Sequence, residues 1–165
     1  MEKTSPPATV PRHLWESSIG RLLHLYWRFA RGLTLGVRGL VVDGAGRVLL
    51  VQHSYIRGWH LPGGGVEPGE TMLQALAREL AEEGNIRLTG APRLHGMFLN
   101  RSASQRDHVA LYVVQDFEQT GPFQPTAEIA HASFFAPDAM PNDTTAGTRA
   151  RIAEVMGGAP VSQHW

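Results

Sequence analysis

Gly63-Gly64-Gly65-Val66-Glu67-Pro68-Gly69-Glu70-Thr71-Met72-Leu73-Gln74-Ala75-Leu76-Ala77-Arg78-Glu79-Leu80-Ala81-Glu82-Glu83-Gly84-Asn85-Ile86 is the stretch on which the reading of this chain turns. It opens as a glycine- and proline-rich loop. At about Thr71 it changes to apolar residues at helical spacing, Leu73, Leu76, Ala77 and Leu80, which predicts a helix to about Gly84 with that stripe on the core. Glu70 and Thr71 suit a first turn, because carboxylates are favoured at a helix N-terminus. At about 100° per residue Glu79 shares a face with Glu82 and Glu83, next to the apolar stripe, so the acids stand at the edge of the core.

Carboxylates at that spacing repel and raise one another's pKa unless a cation is present. Oxygen ligands with no His or Cys beside them point to Mg²⁺, or to Mn²⁺, over zinc. Taken alone, the helix reads more simply as a solvated acidic face balanced by Arg78 and Arg87. The preceding loop changes that balance. Gly64 and Gly69 have the separation of a phosphate-cradling P-loop, but Glu70 stands where that motif carries its lysine. An anion there reverses the attraction for phosphate, so a polyphosphate at this loop requires a metal between them.

Gly64, Glu70, Arg78-Glu79-Leu80, Glu82-Glu83 and Ile86 at these spacings resemble the Nudix box, with eight of nine defined positions in agreement. The ninth is Asn85, where the family carries glycine. That position lies just past the helix, where a left-handed backbone is expected, and Asn accepts it better than most residues. The resemblance implies an α/β fold, a Nudix-like α/β/α sandwich with a mixed β-sheet. It implies hydrolysis of a nucleoside diphosphate linked to another group, with Mg²⁺ as cofactor. Carried over by position, Glu79, Glu82 and Glu83 correspond to metal ligands together with the Gly64 carbonyl, and Glu70 and Arg78 to the groups that orient them. The general base in the family is a box glutamate or a carboxylate on a distant loop. Glu128 is the distant candidate, Glu118 a weaker one, and Glu67 reads as a turn residue.

Outside the box, Trp59 and His60 precede the glycine loop. Trp59 is a candidate to stack on a base, against packing of the loop as the plainer reading. Arg101 and Arg106, in the polar segment Arg101–Asp107, are candidates to meet phosphate. Signatures of several Nudix subgroups are missing: a proline after the box as in ADP-ribose pyrophosphatases, a tyrosine as in diadenosine polyphosphate hydrolases, and the NADH and coenzyme A patterns. Their absence shifts weight toward nucleoside triphosphates or nucleotide sugars. A non-catalytic nucleotide-sensing module, and an ADP-ribose or dinucleotide pyrophosphatase, stand as alternatives. Sensing modules tend to lose box acids, and all four are present here.

The rest of the chain is consistent with one domain. Its 165 residues carry 15 basic and 15 acidic side chains and no cysteine, which excludes disulfide scaffolds, thiol nucleophiles and zinc–thiolate sites. Zero net charge argues against gripping nucleic acid by bulk positive field. Neutrality is nevertheless an average, since Glu67, Glu70, Glu79, Glu82 and Glu83 fall within seventeen residues. Residues 1–33 read as an N-terminal extension with an amphipathic helix, too charged for a bilayer span. Residues 34–158 read as the Nudix domain and 159–165 as a tail. Leu35–Val42 and Arg47–His53 read as a hairpin about Asp43–Gly46. Arg93–Asn100 and His108–Phe117 are expected as strands joined by the polar loop, Ala132–Ala136 as a short strand, and Thr144–Met156 as a helix ended by Gly157-Gly158. A cytoplasmic setting, a small nucleotide substrate and a homodimer complete the expectations.

Overall fold

Alternation along three strands places side chains on two faces, and both faces are covered. The computed structural model describes residues 32–165. In chain order its elements are β1 (Thr34–Val41), β2 (Val48–His53), β3 (Trp59–His60), α1 (Met72–Gly84), β4 (Ile86–Leu88), β5 (Arg93–Leu99), β6 (Asp107–Val114), β7 (Phe117–Gln119), β8 (Ile129–Phe135) and α2 (Ala146–Gly157). Val37 and Val41 of β1, Leu49 of β2 and Ala110, Tyr112 and Val114 of β6 pack with Ala75, Leu76 and Leu80 of α1. Their neighbours in the alternation, Leu40, Val48, Leu50 and Leu111, point the other way and pack with Phe98 and Ile152 of α2. The result is an α/β/α sandwich, and residues Thr34–Trp165 make one compact unit.

β1, β6 and β5 form a mixed sheet, with β1 parallel to β6 and β5 antiparallel to it. β3, β2 and β8 form a second, antiparallel sheet, and β4 pairs with β7. The expected hairpin of β1 and β2 is therefore corrected. The turn at Asp43–Gly46 exists, with Gly46 N–H donating to Asp43 O at 2.9 Å. Beyond one isolated bridge, Val42 to Val48, the two strands diverge into different sheets. Both carry buried apolar side chains on each face, and such strands gain more from lying inside a sandwich than from pairing as a ribbon. The expected N-terminal helix lies outside the described residues. No described helix is long and apolar enough to cross a membrane.

The central helix starts later than the carboxylate argument suggests. Thr71 is its N-cap and accepts from Gln74 N–H, while the Gln74 side chain accepts from Thr71 N–H, a reciprocal capping box. Glu70 lies outside the helix and is free to turn toward Arg78. Replacing Thr71 by alanine should cost about 1 kcal/mol in urea unfolding; an unchanged midpoint would show that the box contributes nothing net. Leu73, expected on the core, is 48% exposed, whereas Ala75 is buried. The buried stripe thus runs through Ala75, Leu76, Leu80, Glu83 and Gly84. Asn85 ends the helix at φ 54°, left-handed as its place in the box requires, and its amide donates to Pro122 O at 3.0 Å. The asparagine thereby tethers the helix end to the 120s loop, which a glycine there could not do.

Candidate active site

Arg78 organises the loop and helix of the site. Its Nε and Nη2 donate to the two carboxylate oxygens of Glu70 at 3.0 and 3.1 Å. Nη2 also donates to Gly65 O at 3.1 Å, and Nη1 to Glu79 Oε1 at 2.7 Å, with Glu82 Oε2 3.6 Å away. A planar guanidinium suits this fork, which a lysine could not make. Glu70, held by Arg78 and by Glu67 N–H at 3.0 Å, is kept below its usual range. Glu67 contributes its backbone and is otherwise an exposed turn residue.

The three box glutamates have different surroundings. Glu82 is exposed, its side chain 62% accessible, whereas Glu83 is 7% exposed. Glu83 Oε2 accepts from Gly63 N–H at 2.7 Å. Burial pushes its pKa up to about 7, against the pull of the Gly63 N–H and the nearby Arg38, with Glu79 and Glu128 adding to the rise. Glu79 lies against Gly64 so closely that a Cβ there would fall 2.3 Å from Oε1. Gly64 O accepts from Val37 N–H at 2.9 Å, which fixes the loop on β1.

Glu79, Glu82 and Glu83 open with Glu128 onto one cleft of about 530 Å³. Glu128, forty-five residues beyond Glu83 in the chain, is brought there by the pairing of β2 with β8: Ser54 N–H donates to Glu128 O at 2.8 Å. Glu118 is not brought there. It sits opposite Arg87 in the β4–β7 ladder, and Arg87 Nε donates to it at 2.7 Å. Trp59 packs edge-on to Phe135 at 4.9 Å and stacks toward His131 at 6.4 Å, supporting the second core cluster and standing outside the acidic cleft. Arg101 and Arg106 are exposed on the β5–β6 loop and do not line that cleft.

Two residues of the site were missed in the sequence. Arg38 Nη1 donates to Leu61 O at 3.0 Å and Gly63 O at 2.5 Å, pinning the glycine loop from β1. Its signal was a lone cation in an apolar strand, Val37-Arg38-Gly39-Leu40. His53 is buried with Nδ1 3.9 Å from Glu83 Oε1 and no hydrogen-bond partner among the described residues. Burial, then Arg38 and His60, lower its pKa to about 4, so the ring is neutral at neutral pH.

Carboxylates around a cleft, with a glycine leaving room for Glu79, are the hard oxygen donors that a divalent cation takes. Among the described residues no three acidic or histidine groups converge on one point, because Glu79 is drawn onto Arg78 and Glu82 extends into solvent.

A family model of the NUDIX domain matches residues 32–155. A MutT-like protein of Streptomyces ambofaciens is 30% identical over 126 residues, covering 76% of this chain and 79% of that protein. An RNA pyrophosphohydrolase of Legionella pneumophila is 37% identical over 67 residues, and the match spans 38% of each chain. The fold is similar to the crystal structure of a MutT NUDIX hydrolase from Burkholderia pseudomallei, with a TM-score of 0.64 and 24% identity over 76% of this chain and 99% of that one. The box at Gly64–Ile86 lies inside the matched span, and this chain belongs to the Nudix family.

Proposed function

We propose that the protein hydrolyses a phosphoanhydride bond of a nucleoside diphosphate derivative, a nucleoside triphosphate or nucleotide sugar foremost, with Mg²⁺ as cofactor and Mn²⁺ able to replace it. The observation that carries this reading is the gathering of Glu79, Glu82, Glu83 and Glu128 around one cleft beside the glycine loop. Glu79, Glu82, Glu83 and the Gly64 carbonyl are the groups assigned to the metal. A divalent ion there supplies charge neutralisation for phosphate oxygens and a more acidic bound water. Arg78, itself held by Glu70, presents Glu79 and Glu82. Glu128 is assigned as the general base: its carboxylate, across the cleft from α1, accepts the proton of the attacking water.

The test is a panel of nucleoside triphosphates, nucleotide sugars, ADP-ribose and dinucleotides, with and without Mg²⁺. An RNA arm is included because of the partial similarity to the Legionella protein. Cleavage of at least one substrate class that stops in excess chelator is expected. Undiminished turnover in chelator would overturn the metal assignment. Tight binding without turnover across the panel would support a nucleotide-sensing module instead. Glu128→Gln should lower kcat by roughly 10²-fold with KM little changed, and an unaltered kcat would remove Glu128 from the base role.

A further inference from the structure

The residues after α2 are tied into the domain by buried charge. Arg151, 1% exposed, lies with its guanidinium 4.1 Å above the Phe98 ring and donates to His164 O at 2.7 Å and to Glu154 Oε1 at 2.5 Å. Glu154 Oε1 also accepts from Ser162 N–H at 2.9 Å, and its Oε2 lies 3.2 Å from His95 Nε2. The segment then pairs with the end of β5: Leu99 N–H donates to Gln163 O at 3.0 Å, and Trp165 N–H to Leu99 O at 3.1 Å. The Trp165 indole packs edge-on to Phe98 at 5.8 Å. It closes over Gly147, where a Cβ would lie 2.7 Å from the indole nitrogen. An ion cluster at this depth is costly unless its partners are in place, and among the described residues only Arg151 Nε of this cluster is left without one. Here the partners it holds are the backbone of residues 162–164.

Trp165 is only half-buried, and it borders a second cleft of about 300 Å³ on the β1 side of the glycine loop. Gly64, Gly65, Arg38, Asn100 and Asp107 stand around the same space. Asn100 donates to Asp107 Oδ2 at 2.8 Å and Thr34 Oγ1 to Oδ1 at 2.6 Å, giving a rigid polar edge. The glycine loop thus separates an acidic cleft from one that is neutral, aromatic at one wall and polar at another. Such a volume suits a planar group larger than a phosphate.

We propose that residues 160–165 form a strap that completes a nucleoside subsite, with Trp165 as its stacking wall and Arg151 and Glu154 as positioning residues. The inference rests on the reading of the acidic cleft as the phosphoanhydride site. It places the base and sugar on the β1 side of Gly64–Gly65, and it makes Trp165 a determinant of which nucleoside is accepted.

The test uses the full chain and the variants Trp165→Leu, which keeps apolar bulk against Phe98, and Trp165→Phe, which keeps an aromatic face. With the substrate found in the panel, Trp165→Leu should raise KM about tenfold, within the range of one base–aromatic stack. Its kcat should stay within about twofold, and Trp165→Phe should restore most of the affinity. Inhibition by inorganic pyrophosphate, which has no base, should be unchanged. Arg151→Met should raise KM in the same way if the strap loosens. An unchanged KM in Trp165→Leu would overturn the proposal, as would equal weakening of substrate and pyrophosphate. If no substrate turns over, quenching of tryptophan fluorescence by nucleoside monophosphates still decides it. Quenching lost in Trp165→Leu supports the subsite although the hydrolase reading has failed, and quenching retained overturns it.

Discussion

Glu83→Gln is expected to lower turnover by on the order of a hundredfold or more and, without metal, to make the fold more stable at alkaline pH. The two effects have one cause. Glu83 is buried at the edge of the core and its pKa is pushed up to about 7, from an ordinary 4.5. The folded protein therefore holds a proton there that the unfolded chain has released between about pH 4.5 and 7. Stability falls as pH rises through that window and stays lower above it. The rise from 4.5 to about 7, at about 1.4 kcal/mol per unit, corresponds to about 3 kcal/mol at pH 8. Glutamine is neutral at every pH and can still accept from Gly63 N–H, so it escapes this cost.

His53 acts with the opposite sign. Its pKa, lowered to about 4, means that the fold keeps the ring neutral while the unfolded chain takes up a proton below about 6.5. Its contribution is present above that pH and is lost as pH falls toward 4. In the parent the two slopes oppose one another across most of pH 4.5 to 6.5. Glu83→Gln should leave the His53 slope alone, so that stability climbs with pH. Urea unfolding in chelator from pH 4 to 8.5, with turnover measured on the same preparations in Mg²⁺, checks both halves. A glutamine variant no more stable than the parent at pH 8 would contradict the burial argument.

The second large effect separates three adjacent glycines. Gly63 has φ 139°, and a Cβ there would fall 2.1 Å from Val37 O and 2.9 Å from Arg38 Cα. Those are backbone atoms of β1 and cannot swing aside. Gly63→Ala is expected to cost about 3 kcal/mol or more, combining overpacking with a backbone conformation reserved for glycine. It would also dislodge the N–H that binds Glu83 and the carbonyl that binds Arg38. Gly64→Ala meets the end of a side chain instead, Glu79 Oε1 at 2.3 Å. That carboxylate can rotate away, so activity should fall much more than stability. Gly65→Ala meets nothing within 4 Å and should be within about 0.5 kcal/mol of the parent. Thermal unfolding and turnover of the three variants give the ordering. A Gly63→Ala protein as stable as Gly65→Ala would refute it.

Much of the site was legible because it is local. Residues 70–86 form one loop and one helix, so spacing alone puts Glu79 beside Glu82 and Glu83 and puts Arg78 within reach of Glu70. The strand pairing was less legible. Val37, Leu40 and Val41 look the same whether β1 joins its neighbour in a hairpin or lies parallel to β6, and the structure chose β6. Leu76 and Leu80 are buried as expected, but Leu73 is exposed and Ala75 buried instead, since a buried face that also carries Glu83 and Gly84 is rotated slightly from the expected stripe.

The chemistry proposed for the site rests on residue type and spacing: oxygen donors on one helix face, a glycine loop before them, and an asparagine able to adopt the left-handed turn. These depend on bond geometry within a few residues. Folding decided what depends on contact across the chain. Glu82 and Glu83 are adjacent and chemically identical, yet one is solvated and the other buried, because only Glu83 points beneath the loop at Gly63. Glu128 joins the acidic cleft through β8, Arg38 holds the glycine loop through β1, and Trp165 reaches the opposite side of that loop along β5. Burial and proximity set the charge of each carboxylate and the shape of each cleft, and both arise only when distant strands are packed together.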